Sequence, residues 1–313
     1  PFNQAPSLHI ALLVVLWSCY QRHLQGIWRG LMHLWFGLIG LSVLTTYQHH
    51  FIDLPTGVLL GCLCVWLWPL DRSTPLTNAR LTCDRKRWTL ALCYAVGALI
   101  ASLLAFGFKG GWLWWLWPAT ALLLVALNYA LLDAGGFQKG VNGRLSGAAR
   151  WLLAPYLAAA WLNSRLWTRN HPQPDRVLDD IWLGRIPSRR ELKASPFKAV
   201  LDVCAELSLD PGPVAYRSIP VLDLIAPTPA QCLEAAHAID TLRQQGPLLV
   251  CCALGYSRSA TAIAAWLLHS GRAANVEQAI SQLRQARPGI VLHSAHRAAL
   301  QELVVDREPV YGQ

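Results

Sequence analysis

The chain has 313 residues, of which 54% are hydrophobic and 14% charged, and its formal net charge is +9 at pH 7. Soluble domains carry about 25% charged residues, so the composition excludes a wholly soluble protein and places part of the chain in a bilayer. The fifteen Trp agree, because Trp favours the membrane–water interface. Much of the positive charge flanks apolar segments, where membrane topology explains it, so we expect no nucleic-acid partner.

The nine Cys show no regular spacing, so the sequence predicts neither a disulfide scaffold nor a structural zinc site. No cofactor is predicted. The chain begins with Pro1 and shows no signal peptide, and its opening residues look like the middle of a domain. We therefore expect further residues upstream of Pro1.

Five apolar segments in the first half predict an all-α transmembrane region. They are residues 8–20, 31–47, 54–70, 88–108 and 112–132. A membrane span needs about 20 apolar residues. The last two segments satisfy this length, whereas the first three are short or interrupted and must rely on packing against one another.

Arg and Lys are concentrated in alternate loops between these segments. The loop holding His49, His50 and Asp53 has none, and the loop after the fourth segment has only Lys109. By the positive-inside rule the Arg-rich loops are cytoplasmic. The sequence therefore predicts a multi-pass protein of a bacterial inner (plasma) membrane, with everything after residue 132 in the cytoplasm. Residues 151–167 are apolar but contain Pro155, which favours an interfacial helix, and residues 168–175 are predicted to be a short linker.

From Arg176 onward, short strand-like runs alternate with segments of helical periodicity. Thr228, followed by Pro229, and Asn275 are candidate helix caps. The alternation predicts a compact α/β domain with a central sheet flanked by helices.

The stretch "VCCALGYSRSA" runs from a strand into a helix that begins near Arg258. A tight loop at a helix N-terminus directs backbone N–H groups inward and binds anions. The same potential favours the thiolate of Cys252, which makes it a candidate nucleophile. Arg258 can grip two phosphate oxygens, and Ser259 can donate a hydrogen bond to the departing thiolate. Gly255 and Ser257 belong to the phosphate-binding loop.

Phosphoryl transfer also needs an acid to protonate the leaving oxygen. Asp223, in "IPVLDLIAPTP", lies at a strand end about thirty residues upstream and is the candidate. The alternative is that Asp223 is simply a turn or cap residue.

The segment "VCCALGYSRSATAIAAWLL" resembles the signature of the dual-specificity (Cys-based) protein phosphatases, and "IWLGR", "AVLDVCAE", "IPVLD" and "ARPGIVL" fall where that family has them. The resemblance covers about residues 175–303. It implies that Cys252 is the nucleophile, Arg258 the phosphate binder, Ser259 the partner of the leaving thiolate and Asp223 the general acid. The family usually has His before the nucleophile, where this chain has Cys251, and we expect that change either to make the Cys252 thiol harder to ionise or to slow turnover.

The loop "ALGYS" carries no Lys or Arg, whereas substrates with several phosphates need more cations. The sequence therefore favours a monophosphate, either phosphotyrosine or phosphoserine in a protein, or a simple phospholipid.

A second set of residues lies at the predicted outer face. His9 is at one end of the first segment, and His49 and His50 precede Asp53. A titrating group near a span is costly and usually functional. A His oriented by a carboxylate can attack phosphorus while a second His protonates the leaving oxygen. Solvated histidines, or a metal site, are the alternatives.

"PSLH" followed by "YQHHFIDLPTG" resembles the type 2 phosphatidic acid phosphatase superfamily, particularly its inositolphosphotransferase-like branch. The resemblance implies that His9 is the general acid, His49 the nucleophile and Asp53 its partner, and that Ser7 and Ser42 contact phosphate. Val43 stands where that family usually has Arg, and the first motif would lie upstream of Pro1.

These patterns predict three regions: residues 1–70 as the C-terminal part of a phosphatidic acid phosphatase-like membrane domain, 71–170 as two further transmembrane helices with an interfacial helix and linker, and 175–306 as a dual-specificity phosphatase domain. The predicted protein is a membrane-bound phosphatase that acts on a phosphorylated lipid or phosphoprotein. The alternative is a non-catalytic phospholipid- or phosphoprotein-binding membrane protein.

Overall fold

The computed structural model describes residues 6–45 and 53–305, which form two compact units. The first, within the described residues, runs to Gly136 and includes Ser146–Tyr156. The second comprises Phe137–Leu145 and the chain from Leu157 onward. The second unit therefore begins well before residue 175, where the sequence placed the start of the phosphatase domain.

The first unit is helical, as predicted. Its elements are α1 (Leu8–His23), α2 (Gly26–Thr45), α3 (Asp53–Leu67), α4 (Arg85–Phe108), a 3₁₀ turn (Gly110–Trp115), α5 (Leu116–Leu127), a π turn (Asn128–Leu132), a second 3₁₀ turn (Asp133–Phe137) and α6 (Gly147–Leu152). The π turn interrupts the regular backbone hydrogen bonds of the α5 helix. Arg87 on α4 donates hydrogen bonds to the carbonyl oxygens of Asn128 and Tyr129 in this turn.

Helices α1 and α3 approach closely through two glycines four residues apart. A Cβ at Gly57 would lie 2.7 Å from the Ser7 carbonyl oxygen, and one at Gly61 would lie 2.7 Å from the Ala11 carbonyl oxygen. Small residues at this spacing let two helix backbones meet without side chains between them. Helices α1 and α3 therefore pack directly against each other at these two positions.

Two helical stretches of the described chain are long and apolar enough to cross a membrane, Arg85–Phe108 and Gly110–Phe137. The sequence predicted five. The regular helices α1 and α3 have only 16 and 15 residues, which is short of the ~20 that a span needs. The five-span prediction is therefore supported for the last two segments and not confirmed for the first three.

The apolar stretch at residues 151–167 is divided, whereas the sequence predicted one helix. Helix α6 ends at Leu152, and α7 (Ala154–Trp167) begins two residues later. Pro155 lies in the first turn of α7, where its missing N–H removes no helical hydrogen bond. Pro155 thus marks the start of a new helix.

The predicted linker at residues 168–175 is instead part of the second unit. The Thr168 side chain is buried and accepts a hydrogen bond of 2.6 Å from Arg185. Asp175 opens the first strand and pairs with the buried Arg287 at 2.6 Å. Polar composition suggested a flexible connection, but these polar groups have partners far along the chain.

The second unit is an α/β domain, as predicted. Its elements, after α7, are β1 (Asp175–Leu178), β2 (Ile181–Arg185), α8 (Arg189–Ala194), β3 (Ala199–Cys204), β4 (Ala215–Val221), α9 (Pro229–Leu242), β5 (Leu248–Cys252), α10 (Arg258–His269), α11 (Val276–Ala286) and α12 (Ser294–Val305). The sheet order is β1-β2-β5-β3-β4, with β1 antiparallel to β2 and the other pairs parallel. Thr228 and Asn275 cap α9 and α11, as predicted.

Strand β5 lies at the centre of this sheet, and all five of its residues are buried. Leu248, Val250 and Cys252 pack into the core formed with α9–α12, while Leu249 and Cys251 pack into the core on the opposite face. A central parallel strand covered on both faces reads as a continuous apolar run, which explains the sequence "LLVCC". Its carboxyl end opens into the loop that carries the candidate site.

Candidate active site

The loop between β5 and α10 encloses the sulfur of Cys252. The Cys252 Sγ accepts hydrogen bonds from the Gly255 backbone N–H at 3.2 Å and from the Ser259 Oγ at 3.3 Å. Five residues separate this sulfur from Arg258, the first residue of α10. Two donors therefore face one sulfur at the mouth of a helix, which makes Cys252 the candidate nucleophile of this loop.

Gly255 is the tightest point of this loop. Its φ is +76°, and an added Cβ would lie 2.4 Å from the Gly184 carbonyl carbon and 2.6 Å from the Arg185 nitrogen of β2. Both the left-handed backbone and the lack of space require glycine here. The Gly255 amide is consequently held facing the sulfur, as the predicted phosphate-binding role requires.

Arg258 is buried at the start of α10 and is held by two carboxylates. Its Nη1 and Nη2 donate to the two Glu206 oxygens at 2.9 and 2.8 Å, and Nη2 also donates to Asp223 Oδ1 at 2.7 Å. Nη1 donates further to the Val221 carbonyl oxygen at 2.8 Å. The bidentate pair with Glu206 fixes the plane of the guanidinium. The structure thus brings Cys252, Ser259, Arg258 and Asp223 together, as the sequence predicted.

Glu206 is a buried partner that the sequence did not single out. Burial alone would raise the pKa of Glu206, but the charge of Arg258 and its hydrogen bonds lower that pKa below the ordinary value of 4.5. Glu206 therefore contributes stability that is fully present above pH 4.5 and is lost as the pH falls through its lower folded-state pKa.

We expect Glu206→Gln to destabilise the domain at pH 7 by about 3 kcal/mol, the lower end for a broken buried pair, because Asp223 still faces Arg258. The difference from the unsubstituted protein should shrink as the pH falls below 4.5, where the Glu206 carboxylate begins to protonate in the unfolded chain and then, at its lowered pKa, in the folded domain. Urea unfolding followed by Trp fluorescence at several pH values measures the loss of stability and its dependence on pH. Glu234→Gln, in an exposed pair with Arg217, is the matched control and should cost under about 1 kcal/mol. A pH-independent loss at Glu206 would contradict the assigned ion pair.

Cys251 faces away from the phosphate loop. It packs in the core on the other side of the sheet from Cys252, paired in the strand register with Asp202. Burial, together with the nearby Asp202 charge, raises the pKa of Cys251 well above its ordinary value. Cys251 is therefore a neutral thiol at physiological pH, and only one of the two adjacent cysteines can act as the nucleophile.

Two further contacts to the loop were not predicted. Ser257 Oγ lies 2.8 Å from the His296 Nε2 of α12, and the Arg287 guanidinium lies 4.6 Å from the centre of the Tyr256 ring. The Ser257 hydroxyl therefore bonds to this histidine, while the predicted phosphate-binding role of Ser257 stays a prediction. Both partners lie more than thirty residues from the loop, so local patterns gave no signal for them.

The predicted outer site is described only in part, since His49 and His50 lie outside the described residues. Ser7 caps α1 and is buried, and its backbone N–H donates to the Asp53 carbonyl oxygen at 3.3 Å. The N-terminal ends of α1 and α3 therefore meet. Among the other predicted members, His9 is exposed on α1, and Ser42 on α2 donates its hydroxyl to the Ile39 carbonyl oxygen.

A nucleophilic cysteine at the end of a central parallel strand, with an arginine at the start of the next helix, defines the second unit as a Cys-dependent phosphatase domain. Residues 181–305 match the dual specificity phosphatase catalytic domain family. This part of the chain is therefore a dual-specificity phosphatase domain, and the enzyme it forms is a Cys-dependent phosphoric monoester hydrolase. The resemblance drawn from the sequence is confirmed for these residues.

Several solved structures are similar to this domain. Tk-PTP in its active form is 30% identical, with 43% of this chain and 98% of that chain covered and a TM-score of 0.40. Human DUSP28 is 21% identical, with 42% and 96% covered and a TM-score of 0.38. PTPMT1 is 19% identical, with 43% and 95% covered and a TM-score of 0.38. No curated protein gives a significant match to the sequence.

Proposed function

We propose that the full chain is a membrane-bound phosphatase that hydrolyses phosphomonoesters through a cysteinyl-phosphate intermediate. The observation that carries the proposal is the Cys252 sulfur, which receives two hydrogen bonds inside a loop that ends at Arg258. Asp223 lies beside the same guanidinium, where it can reach the leaving oxygen.

In the proposed first step, the Cys252 thiolate attacks phosphorus in line and the phosphorus–oxygen ester bond breaks. The protonated Asp223 gives its proton to the leaving oxygen, so an alcohol departs. In the second step a water oxygen attacks the phosphocysteine, and Asp223 takes the water's proton. The sulfur–phosphorus bond breaks, inorganic phosphate leaves, and Ser259 donates its hydrogen bond to the thiolate that re-forms.

Arg258 changes partners in this scheme. Its Nη2 is shared between Glu206 and Asp223, and a phosphate oxygen can take the place of the Asp223 carboxylate. Glu206 keeps the guanidinium plane oriented during that exchange. The fixed guanidinium and the loop amides then stabilise the charge on the equatorial oxygens of the transition state without reorganising.

The surroundings of the loop favour a substrate with a single phosphate. Residues 253–257 contain no Lys or Arg. Leu224, which follows Asp223, is 54% exposed, and Val291, which is bonded through its N–H to the Tyr256 carbonyl oxygen, is 45% exposed. An apolar rim suits an aromatic or lipid group next to the phosphate, whereas a polyphosphate would need further cations.

The association with a membrane is supported by the first unit. In Arg85–Phe108 only 22% of the most apolar stretch is buried, and Leu92, Leu103 and Phe106 are each more than 60% exposed. An apolar helix that the protein leaves uncovered needs another apolar surrounding, which a bilayer provides. We propose a bacterial inner-membrane location with the phosphatase domain in the cytoplasm, and a phosphorylated lipid or phosphoprotein as substrate.

We also keep the second, outer lipid-phosphatase-like site as a proposal. It would combine His9, His49 and Asp53, with Ser7 and Ser42 near the phosphate. Its support is the meeting of the α1 and α3 ends at Ser7 and Asp53.

The test uses the purified full chain in vesicles with three substrates: phosphatidic acid, a phosphotyrosine peptide and inositol hexakisphosphate. We expect vanadate-sensitive phosphate release from one or both monophosphates and none from the polyphosphate. Phosphatidic acid turnover that persists in Cys252→Ser and disappears on adding His49→Ala would belong to the outer site. Binding of the phosphopeptide or lipid without any turnover would overturn the proposal in favour of a non-catalytic binding protein.

A further inference from the structure

The segment Phe137–Leu145 lies outside the matched family domain at residues 181–305 and yet belongs to the same compact unit. It folds back through an antiparallel bridge between Lys139 and Leu145. The Gly143 carbonyl oxygen accepts a hydrogen bond from the Leu209 N–H at 2.9 Å. An added Cβ at Gly143 would lie 2.3 Å from the Leu209 carbonyl oxygen, so the two backbones are in close contact.

Lys139 extends from this segment into the domain interior. Its Nζ donates to Asp202 Oδ2 and to the Cys204 carbonyl oxygen, both at 2.6 Å. The side chains of Lys139 and Asp202 are both fully buried. A buried ammonium is stable only when its charge is balanced and its donors have acceptors, and this position supplies one carboxylate and two acceptor oxygens.

The Asp202 carboxylate is the centre of a hydrogen-bonded cluster. Besides Lys139, it accepts hydrogen bonds from the Tyr216 hydroxyl at 2.8 Å and from the Cys204 N–H at 2.9 Å. Burial disfavours the charge on Lys139, but its attraction to Asp202 raises the pKa of Lys139 above the ordinary value. The ion pair therefore persists at physiological pH.

The residues that Lys139 contacts are close in sequence to Glu206, which binds the catalytic Arg258. Asp202 and Cys204 end β3, and two residues further on Glu206 grips both Nη atoms of Arg258. We propose that Lys139 is a positioning residue for phosphate binding. Its ammonium holds the end of β3, so that Glu206 presents its carboxylate to Arg258 at the correct place. The proposal rests on the phosphatase function proposed above.

The test measures kcat, KM and vanadate inhibition of the full chain carrying Lys139→Met. A displaced guanidinium should lower kcat/KM by about 10–100-fold, mainly through a higher KM, and should weaken vanadate inhibition by a similar factor. In an Arg258→Lys background, Lys139→Met should change KM and vanadate inhibition little. Lysine cannot make the bidentate contact with phosphate for which Glu206 orients the guanidinium.

Two further variants keep the test decisive. Lys139→Met with Asp202→Asn removes both charges and should restore folding if the single variant fails to fold, while KM stays high. Leu300→Ala, which opens a cavity in α12, is the control for general destabilisation and should lower the melting temperature with KM unchanged. An unchanged KM in the Lys139 variants, or an equal loss in the Arg258→Lys background, would overturn the proposal. Absence of turnover in the unsubstituted chain would instead refute the phosphatase function.

Discussion

Replacement of Cys252 by serine is expected to lower phosphomonoester turnover by the C-terminal domain at least about 10⁴-fold. The serine hydroxyl is not ionised at neutral pH, so the loop no longer holds a nucleophilic anion. The donors Gly255 N–H and Ser259 Oγ would still face the oxygen. Phosphate release from p-nitrophenyl phosphate by the full chain, with vanadate affinity as a second readout, measures the loss.

The adjacent cysteine offers a closely matched control. Cys251 lies on the opposite face of the sheet, so Cys251→Ser should keep most of the turnover that Cys252→Ser abolishes. Cys252→Ser should also retain a phosphorylated ligand, since Arg258 and the loop amides are unchanged. Equal losses in the two serine variants would mean that the strand, rather than the sulfur, was disturbed, and the mechanism would have to be abandoned.

Asp223→Asn is expected to slow the hydrolysis of alkyl phosphates by about 10²–10⁴-fold, the usual contribution of a general acid. The effect on the first step should nearly vanish for p-nitrophenyl phosphate, because its leaving group departs without a proton. The second step still needs a base for water. Rapid-mixing experiments should therefore show a burst of nitrophenol equal to the enzyme concentration, followed by slow turnover.

The amide of the Asp223→Asn variant has the same shape as the carboxylate and can keep its hydrogen bond with Arg258, which is 2.7 Å long for Asp223. We therefore attribute the slower hydrolysis to the lost proton transfer and not to a displaced side chain. Glu234→Gln, a surface change on α9, is the control for removal of one negative charge and should leave both phases unaltered. A uniform loss with both substrates and no burst would contradict the acid–base role. Asp223 would then be the structural turn residue that the sequence left as the alternative.

The catalytic loop was predictable because its parts are contiguous. A buried strand, a short loop with one glycine and an amphipathic helix follow one another within about twenty residues. Cys252, Arg258 and Ser259 are brought together by that local geometry alone. Asp223 came from a second segment, but its position at a strand end gave a recognisable signal. The α/β alternation likewise predicted the sheet and its flanking helices.

The remaining parts depend on contacts between distant residues. Glu206 lies within "AVLDVCAE", and no local pattern in the sequence assigns it a role. Lys139 follows the last apolar segment, where membrane topology alone explains a positive charge, yet it is paired with Asp202, 63 residues away. The polar residues 168–175 resembled a linker for the same reason. The sequence shows where the charged residues are, but only the folded structure shows which oppositely charged residue each one pairs with.

The early entry of the chain into the catalytic domain limits how that domain can be reused. The domain includes nine residues that precede α6, Phe137–Leu145. The chain then belongs to the first unit over Ser146–Tyr156 and re-enters the catalytic domain at Leu157, before the family match begins. A gene fusion that carried only the residues after 175 would lack Lys139. The buried Asp202 carboxylate would then have no cation beside it. A transferred domain must therefore include Phe137–Leu145, or Asp202 must be replaced by a neutral residue.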